Sequence, residues 1–173
     1  MTRLPHIDGV LTADEVVETA ESIAALQLDT GMIPWFPGGH CDPWNHVETA
    51  MALDVAGLHS PAERAYEWLV DIQLENGSWW NYYLPDGTVE EAKLDTNVCA
   101  YIGAGLWHHW LCTGDRSFLA RMWPALRRTV TGESLILTYF RADGDGEVGF
   151  AGNYPGRIQV FDLPAGKSIL AQR

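Results

Sequence analysis

Nine consecutive residues, His40-Cys41-Asp42-Pro43-Trp44-Asn45-His46-Val47-Glu48, carry two imidazoles, a thiol and two carboxylates. Such groups can pass protons or hold a cation. On a helix opening at Pro43, Asp42 and His46 are four residues apart and share a face, which suits an acid/base or ligand pair. Glu48 lies two residues beyond His46 and points about 160° away from it, so it needs a separate partner. A charged residue on an otherwise apolar helix is costly to bury, which favours a cavity-facing role. His40, Cys41, Asp42 and His46 are all metal-ligand types, yet their spacing matches no standard zinc motif. A divalent metal is therefore the weaker reading, and no cofactor is assigned.

Asp95 opens a later helix as Asp42 does. The bland reading of both is an N-cap, worth roughly 1 kcal/mol. The sharper one is a carboxylate pair on the rim of a cavity, and the two roles can coexist. The catalytic candidates are Asp42, His46, Glu48 and Asp95. Trp35, Trp44, Trp79, Trp80 and Tyr82, with Asn97, are the candidates for substrate contact, since aromatic faces line apolar cavities or stack on sugar rings. Trp68 and Trp123 read as packing residues, and His108-His109 as packing or carbonyl caps. Asp143-x-Asp145-x-Glu147 lacks the glycine and terminal glutamate spacing of a calcium loop.

The elements that must position these groups are helical. Thr12 to Glu15 is a capping box ahead of a helix to about Gln27. Asp42-Pro43 caps a mostly apolar helix ending near Gly57, and Ser60-Pro61-Ala62-Glu63 starts an amphipathic one ending at Asn76-Gly77. Asp95 caps a helix without charged residues, whose Ala100, Gly103, Ala104 and Gly105 permit close packing. Gly114-Asp115 opens a last helix to about Val130, with Pro124 as a kink. Gln27-Leu28-Asp29-Thr30-Gly31 returns 46 residues later as Gln73-Leu74-Glu75-Asn76-Gly77. Each copy is followed by Trp, a loop, an Asp cap, an apolar helix and an amphipathic helix. An alternation of buried and half-exposed helices is the grammar of stacked helical hairpins.

The chain has 173 residues and a net charge of -12. Residues 1–100 carry -14 of it (three basic, 17 acidic) and residues 101–173 carry +2 (eight basic, six acidic). That acidity argues against nucleic acid and anionic membrane as partners. No apolar run has the length of a membrane span. The N-terminus shows no signal pattern and the three cysteines form no CxxC, so a cytoplasmic location with reduced thiols is expected.

The stretches "GMIPWFPGGHCDPWNHVETAMALDVAGL", "RAYEWL", "NGSW" and "DTNVCAYIGAGLWHHWL" resemble a group of actinobacterial proteins labelled prenyltransferase. The Gln73…Gly77…Trp79 pattern is similar to the repeat of squalene cyclases and protein prenyltransferases. The resemblance covers about residues 12–130. It implies an all-α, α/α-toroid fold: an incomplete ring of about three hairpins over residues 1–140, with an irregular tail at 141–173. It also implies a transferase-like activity on a small apolar or ring-shaped substrate in an aromatic-lined cavity. Arg64 and Lys93, the only cations of the front half beyond Arg3, are few for a pyrophosphate. The same ring resembles six-hairpin glycosidases, so a carbohydrate-active protein is the alternative. A non-catalytic helical-repeat module or inactive fragment is the second. A full ring would need roughly 300 residues, so truncation or frame-shift near Thr131 is expected as one explanation, and a homodimer as one way to close the ring.

Overall fold

The computed structural model of the chain describes Leu4, residues 6–131 and the segments 137–141, 146–150, 159–163 and 168–172. It divides into two units, residues 1–135 and 136–173.

Among the described residues, the first unit holds five helices. α1 (Ala13–Leu26) begins with the expected capping box, Thr12 and Glu15 satisfying each other's backbone N–H. α2 (Pro43–Val55) starts with Pro43 behind the Asp42 cap, whose side chain accepts from the Asn45 amide. α3 (His59–Asp71) starts one residue before the expected Ser60 cap. Its N-cap is Leu58, with no side-chain cap bond, and the Ser60 hydroxyl accepts from Arg64 instead. A short antiparallel hairpin, β1 (Tyr82–Tyr83) with β2 (Val89–Glu91), occupies the loop before α4 (Thr96–Thr113). α4 is capped by Asp95 and closed by Gly114 in the left-handed region. α5 (Arg116–Thr131) contains Pro124.

The repeat is a hydrogen-bond pattern as well as a sequence pattern. Gln27 Nε2 donates to the carbonyls of Gly31 (3.0 Å) and Pro61 (2.9 Å), and Arg64 donates to Gln27 Oε1 (2.6 Å). Gln73 Nε2 donates to the carbonyls of Gly77 and Ala125 (both 3.0 Å), and Arg128 donates to Gln73 Oε1 (2.9 Å). With the amphipathic α1, α3 and α5 termed outer and the more apolar α2 and α4 inner, each glutamine staples the end of one outer helix to the next, Gln27 joining α1 to α3 and Gln73 joining α3 to α5. Each glycine is required: Gly31 (φ 94°) and Gly77 (φ 84°) sit in the left-handed region, and a Cβ would strike the carbonyl of Arg64 or Arg128.

α2 packs against α4, α3 and α1. The core holds Val47, Leu53, Tyr66, Leu69, Trp79, Ile102, Leu106 and Phe118, all essentially inaccessible. Of the small residues on α4, Gly105 is the one at a close contact. A Cβ there would meet Val47 and the Tyr66 ring, whereas Ala100 and Ala104 are exposed. Trp68 is buried as expected, but Trp123 is 60% exposed. The reason is register: the staples make Arg128 the partner of Arg64, which leaves Trp123 five residues before the staple and off the packed face.

The described residues of the second unit are all strands, which the all-α expectation did not include. β3 (Leu137–Arg141) pairs antiparallel with β6 (Ser168–Gln172), and β4 (Gly146–Phe150) pairs antiparallel with β5 (Gln159–Leu163), one hairpin nested within the other by sequence. These strands are five residues each, too short for a clear period, and β6 pairs with β3 from 27 or more residues away (Arg141 with Ser168), beyond the reach of a local pattern. The Asp143 and Asp145 positions lie outside the described residues. Among the described residues the helical part consists of α1 followed by two helix pairs, α2–α3 and α4–α5.

Candidate functional site

The second repeat supplies an internal control for the first. Whatever the two copies share is fold; whatever one copy adds is a candidate for chemistry.

His46 belongs to the shared part. It is 1% exposed. Its Nδ1 accepts the Ile33 amide hydrogen at 3.3 Å, and its Nε2 donates to the Ala65 carbonyl at 2.9 Å. Both nitrogens are committed, and burial holds its pKa down to about 4. The second copy does the same job with Cys99, whose sulfur accepts the Trp79 amide hydrogen at 3.4 Å. His46 is therefore a structural tie and not a cavity-facing base. The expected Asp42–His46 pair does not form a working dyad. Trp79 is structural too: 1% exposed, its Nε1 donates to the Leu69 carbonyl at 2.7 Å.

Asp95 acts as a plain cap. Its Oδ1 accepts the Asn97 amide at 2.8 Å, and Asn97 itself is exposed. Asp42 does more. Its Oδ1 accepts the Asn45 amide at 3.0 Å, and its Oδ2 accepts both Asn45 Nδ2 and Trp35 Nε1, each at 2.8 Å. Asp42 is 5% exposed while Trp35 is 48% exposed. A buried carboxylate thus fixes the orientation of a half-exposed indole.

Around that indole lies an aromatic and acidic rim. Trp35 meets the rings of His40 (4.8 Å, edge-on) and Tyr82 (5.9 Å, edge-on), and His40 lies against Tyr82 at 4.7 Å. His40 Nδ1 is 2.7 Å from Glu90 Oε2, a link across 50 residues of chain. The Cys41–Tyr83 backbone bridge brings the two loops together. Partial burial, and then the carboxylates of Asp42, Glu91 and Glu90, push the Tyr82 phenol up. Farther along α2, the exposed Glu48 accepts Trp44 Nε1 (3.0 Å) and the Tyr101 hydroxyl (3.1 Å) on one oxygen. Trp44 is 40% exposed and tilts against Tyr101 at 5.6 Å. Trp80 is half-buried, its amide donating to the Tyr83 hydroxyl.

The structure therefore gathers Trp35, Asp42 and Tyr82 at one place and Trp44 with Glu48 at a second on the same helix. Sequence reasoning missed His40–Glu90 and Tyr101 as members of this rim. Cys41 is buried, and burial followed by the Asp42 charge pushes its thiol up, so it is no ready ligand. Among the described residues, no group of three or more His, Cys, Asp or Glu is placed to hold a metal ion. No helix among them is long and apolar enough to cross a membrane.

Sequence reasoning also missed a hydrogen-bonded Asp–His cluster toward the other end of α2. Asp54 (2% exposed) accepts from His109 Nδ1 at 2.9 Å and from His59 Nδ1 at 2.9 Å. His109 is not a carbonyl cap but the partner of a lone acid. The available signal was Asp54 itself, an acidic residue in an otherwise apolar stretch.

Comparison with known proteins changes the family reading. The chain is 48% identical over 127 residues to an MMP endo-(1,4)-3-O-methyl-α-D-mannosidase of Mycolicibacterium hassiacum, covering 73% of this chain and 35% of that protein. It is 30% identical over 94 residues (53% of this chain, 15% of the relative) to an uncharacterised glycosyl hydrolase of Methanocaldococcus jannaschii. It is 32% identical over 100 residues to an uncharacterised protein of Streptococcus pyogenes serotype M6, covering 55% and 34%. The chain thus spans about a third or less of the curated relatives it matches. Residues 94–173 match the family described as mitochondrial biogenesis AIM24. These names overturn the prenyltransferase resemblance and, with it, the transferase reading. The Gln…Gly…Trp motif misled because it encodes the staple between outer helices, and a staple carries no reaction.

Proposed function

We propose that the helical unit is the saccharide-binding part of a glycoside hydrolase-like enzyme. The ligand is an oligosaccharide laid along the rim of Trp35, Tyr82 and Trp44. The mannosidase name borne by the M. hassiacum relative points to an α-(1,4)-linked, 3-O-methylated mannoside as the first candidate. The observation that carries this reading is the Asp42–Trp35 bond at 2.8 Å, which goes beyond what a cap needs and has no equivalent at Asp95.

The chemistry fits a sugar. Indole and phenol faces stack on the C–H faces of pyranose rings, and carboxylates accept hydrogen bonds from sugar hydroxyls. Asp42 holds Trp35 as a stacking platform. Glu48, exposed and steadied by Trp44 and Tyr101, is the carboxylate that reaches the ligand. Glu48 is the candidate for proton transfer at a glycosidic oxygen, while Asp42 positions Trp35. Asp95, Trp80 and Asn97 remain candidates for the rim's outer contacts, with Asp95 supplying no more than a cap in the absence of ligand.

Titration of the protein with 3-O-methylated α-(1,4)-mannosides, followed by tryptophan fluorescence and calorimetry, tests this. Saturable binding that Trp35→Ala abolishes with little change in melting temperature is the expected result. No saturable response to any oligosaccharide sinks the proposal.

A further inference from the structure

The two inner helices run parallel, and their contact has a fixed register. α2 meets α4 through Glu48 on Tyr101, Val47 over Gly105, and Asp54 on His109. The His46 and Cys99 ties set α4 positions 53 residues after their α2 equivalents. On α4, the equivalents of Val47, Met51 and Asp54 are Ala100, Ala104 and Trp107, and Leu111 continues the same line one turn on. These four lie on one stripe at helical spacing, and all are exposed, Trp107 at 58% and Leu111 at 60%. Among the described residues, α4 thus presents, exposed and apolar, the face whose counterpart on α2 packs against its neighbour.

The complementary face is also on this chain. The α2 equivalents of Gly105 and His109 are Ala52 and Ala56. Ala52 and Val55 border a groove of about 290 Å³ between α1 and α2, lined otherwise by Leu11, Val16, Thr19 and Ala20. Applied once more, the α2–α4 register puts Trp107 opposite Ala56, and Ala100 opposite Ala52. Large then meets small, and apolar meets apolar. The position that holds the Asp54–His109 hydrogen bond inside the chain becomes Trp107 against Ala56, which leaves no buried polar group without a partner.

We propose that a second copy of this chain docks head to tail, α4 of one copy against α2 of the next, continuing the internal α2–α4 packing. Two different faces meet, so the contact is heterologous and adds copies until a ring closes.

Sedimentation and light scattering of the full chain over a range of concentrations test this, with circular dichroism checking the fold of each variant. The expected result is a concentration-dependent mass above the monomer. Trp107→Glu spoils one face and Ala56→Arg the other, so each alone should run as a monomer. Mixed, they retain one good interface between them and should form a 1:1 dimer that grows no further. If Ala56→Arg does not fold, Ala52→Glu spoils the same face. A wild type that stays monomeric throughout overturns the proposal. So does a mixture that stays monomeric, or assembly lost in Trp107→Glu but kept in the folded α2 variants, which would mean an α4-to-α4 contact.

Discussion

His46 and Cys99 occupy the same place in successive repeats, 53 residues apart: each accepts the amide hydrogen of the residue two beyond a left-handed glycine. A ring nitrogen and a sulfur satisfy one buried N–H each. That amide would otherwise be an orphan costing about 1–3 kcal/mol.

His46 makes stability depend on pH. Its folded pKa, about 4, lies below its ordinary value of 6.5 because burial disfavours the cation. Between these values the unfolded chain binds more protons, so stability rises with pH. The contribution is complete above about pH 6.5 and lost as pH falls toward about 4, at most about 3 kcal/mol. Urea denaturation across that window should show the slope, and His46→Gln should flatten it. An unchanged slope in the variant would assign the effect to other groups.

Breaking the Asp54–His109 contact should cost about 1–3 kcal/mol: without His109 the buried Asp54 keeps only His59, and without Asp54 the buried His109 Nδ1 loses its acceptor. His109→Leu and Asp54→Leu should each show this loss of melting stability. The double variant should recover part of it. Strict additivity of the two losses would mean the pair is not coupled.

Two neighbouring glycines on α4 should respond in opposite ways. Gly105→Ala places a Cβ against Val47 and Tyr66 and should destabilise by about 1–3 kcal/mol. At Gly103 the nearest atom to an added Cβ is Leu126 Cδ1 at 3.5 Å, an ordinary contact. Gly103→Ala should therefore be neutral or stabilising by up to about 1 kcal/mol, through helix propensity. Thermal melts of the two variants decide.

The two caps should separate by substitution. Asp95→Asn keeps the side-chain oxygen that a cap needs and should cost only a few tenths of a kcal/mol. Asp42→Asn cannot accept every bond Asp42 makes, since its amide nitrogen only donates, so either Trp35 Nε1 or Asn45 loses its acceptor. The indole N–H resonance of Trp35 should move in Asp42→Asn and stay in Asp95→Asn. If it is unmoved in both, Asp42 does not position Trp35.

The sequence by itself determined the helices, their caps and the existence of a repeat. Thr12, Asp42 and Asp95 cap as their types dictate, and Gln27–Gly31 and Gln73–Gly77 announce one local geometry twice. These are contacts within a few residues, so a linear pattern records them. Only the tertiary structure decided which reactive side chains are available. His46 and Trp79 look like site residues by type, yet long-range hydrogen bonds to Ala65 and Leu69 consume them. His40 with Glu90, and Asp54 with His109, lie 50 and 55 residues apart, and no spacing rule joins them. The pairing of Leu137–Arg141 with Ser168–Gln172 is hidden for the same reason. A side chain's chemistry depends on what is left after its neighbours in space have taken their hydrogen bonds, and those neighbours are chosen by packing.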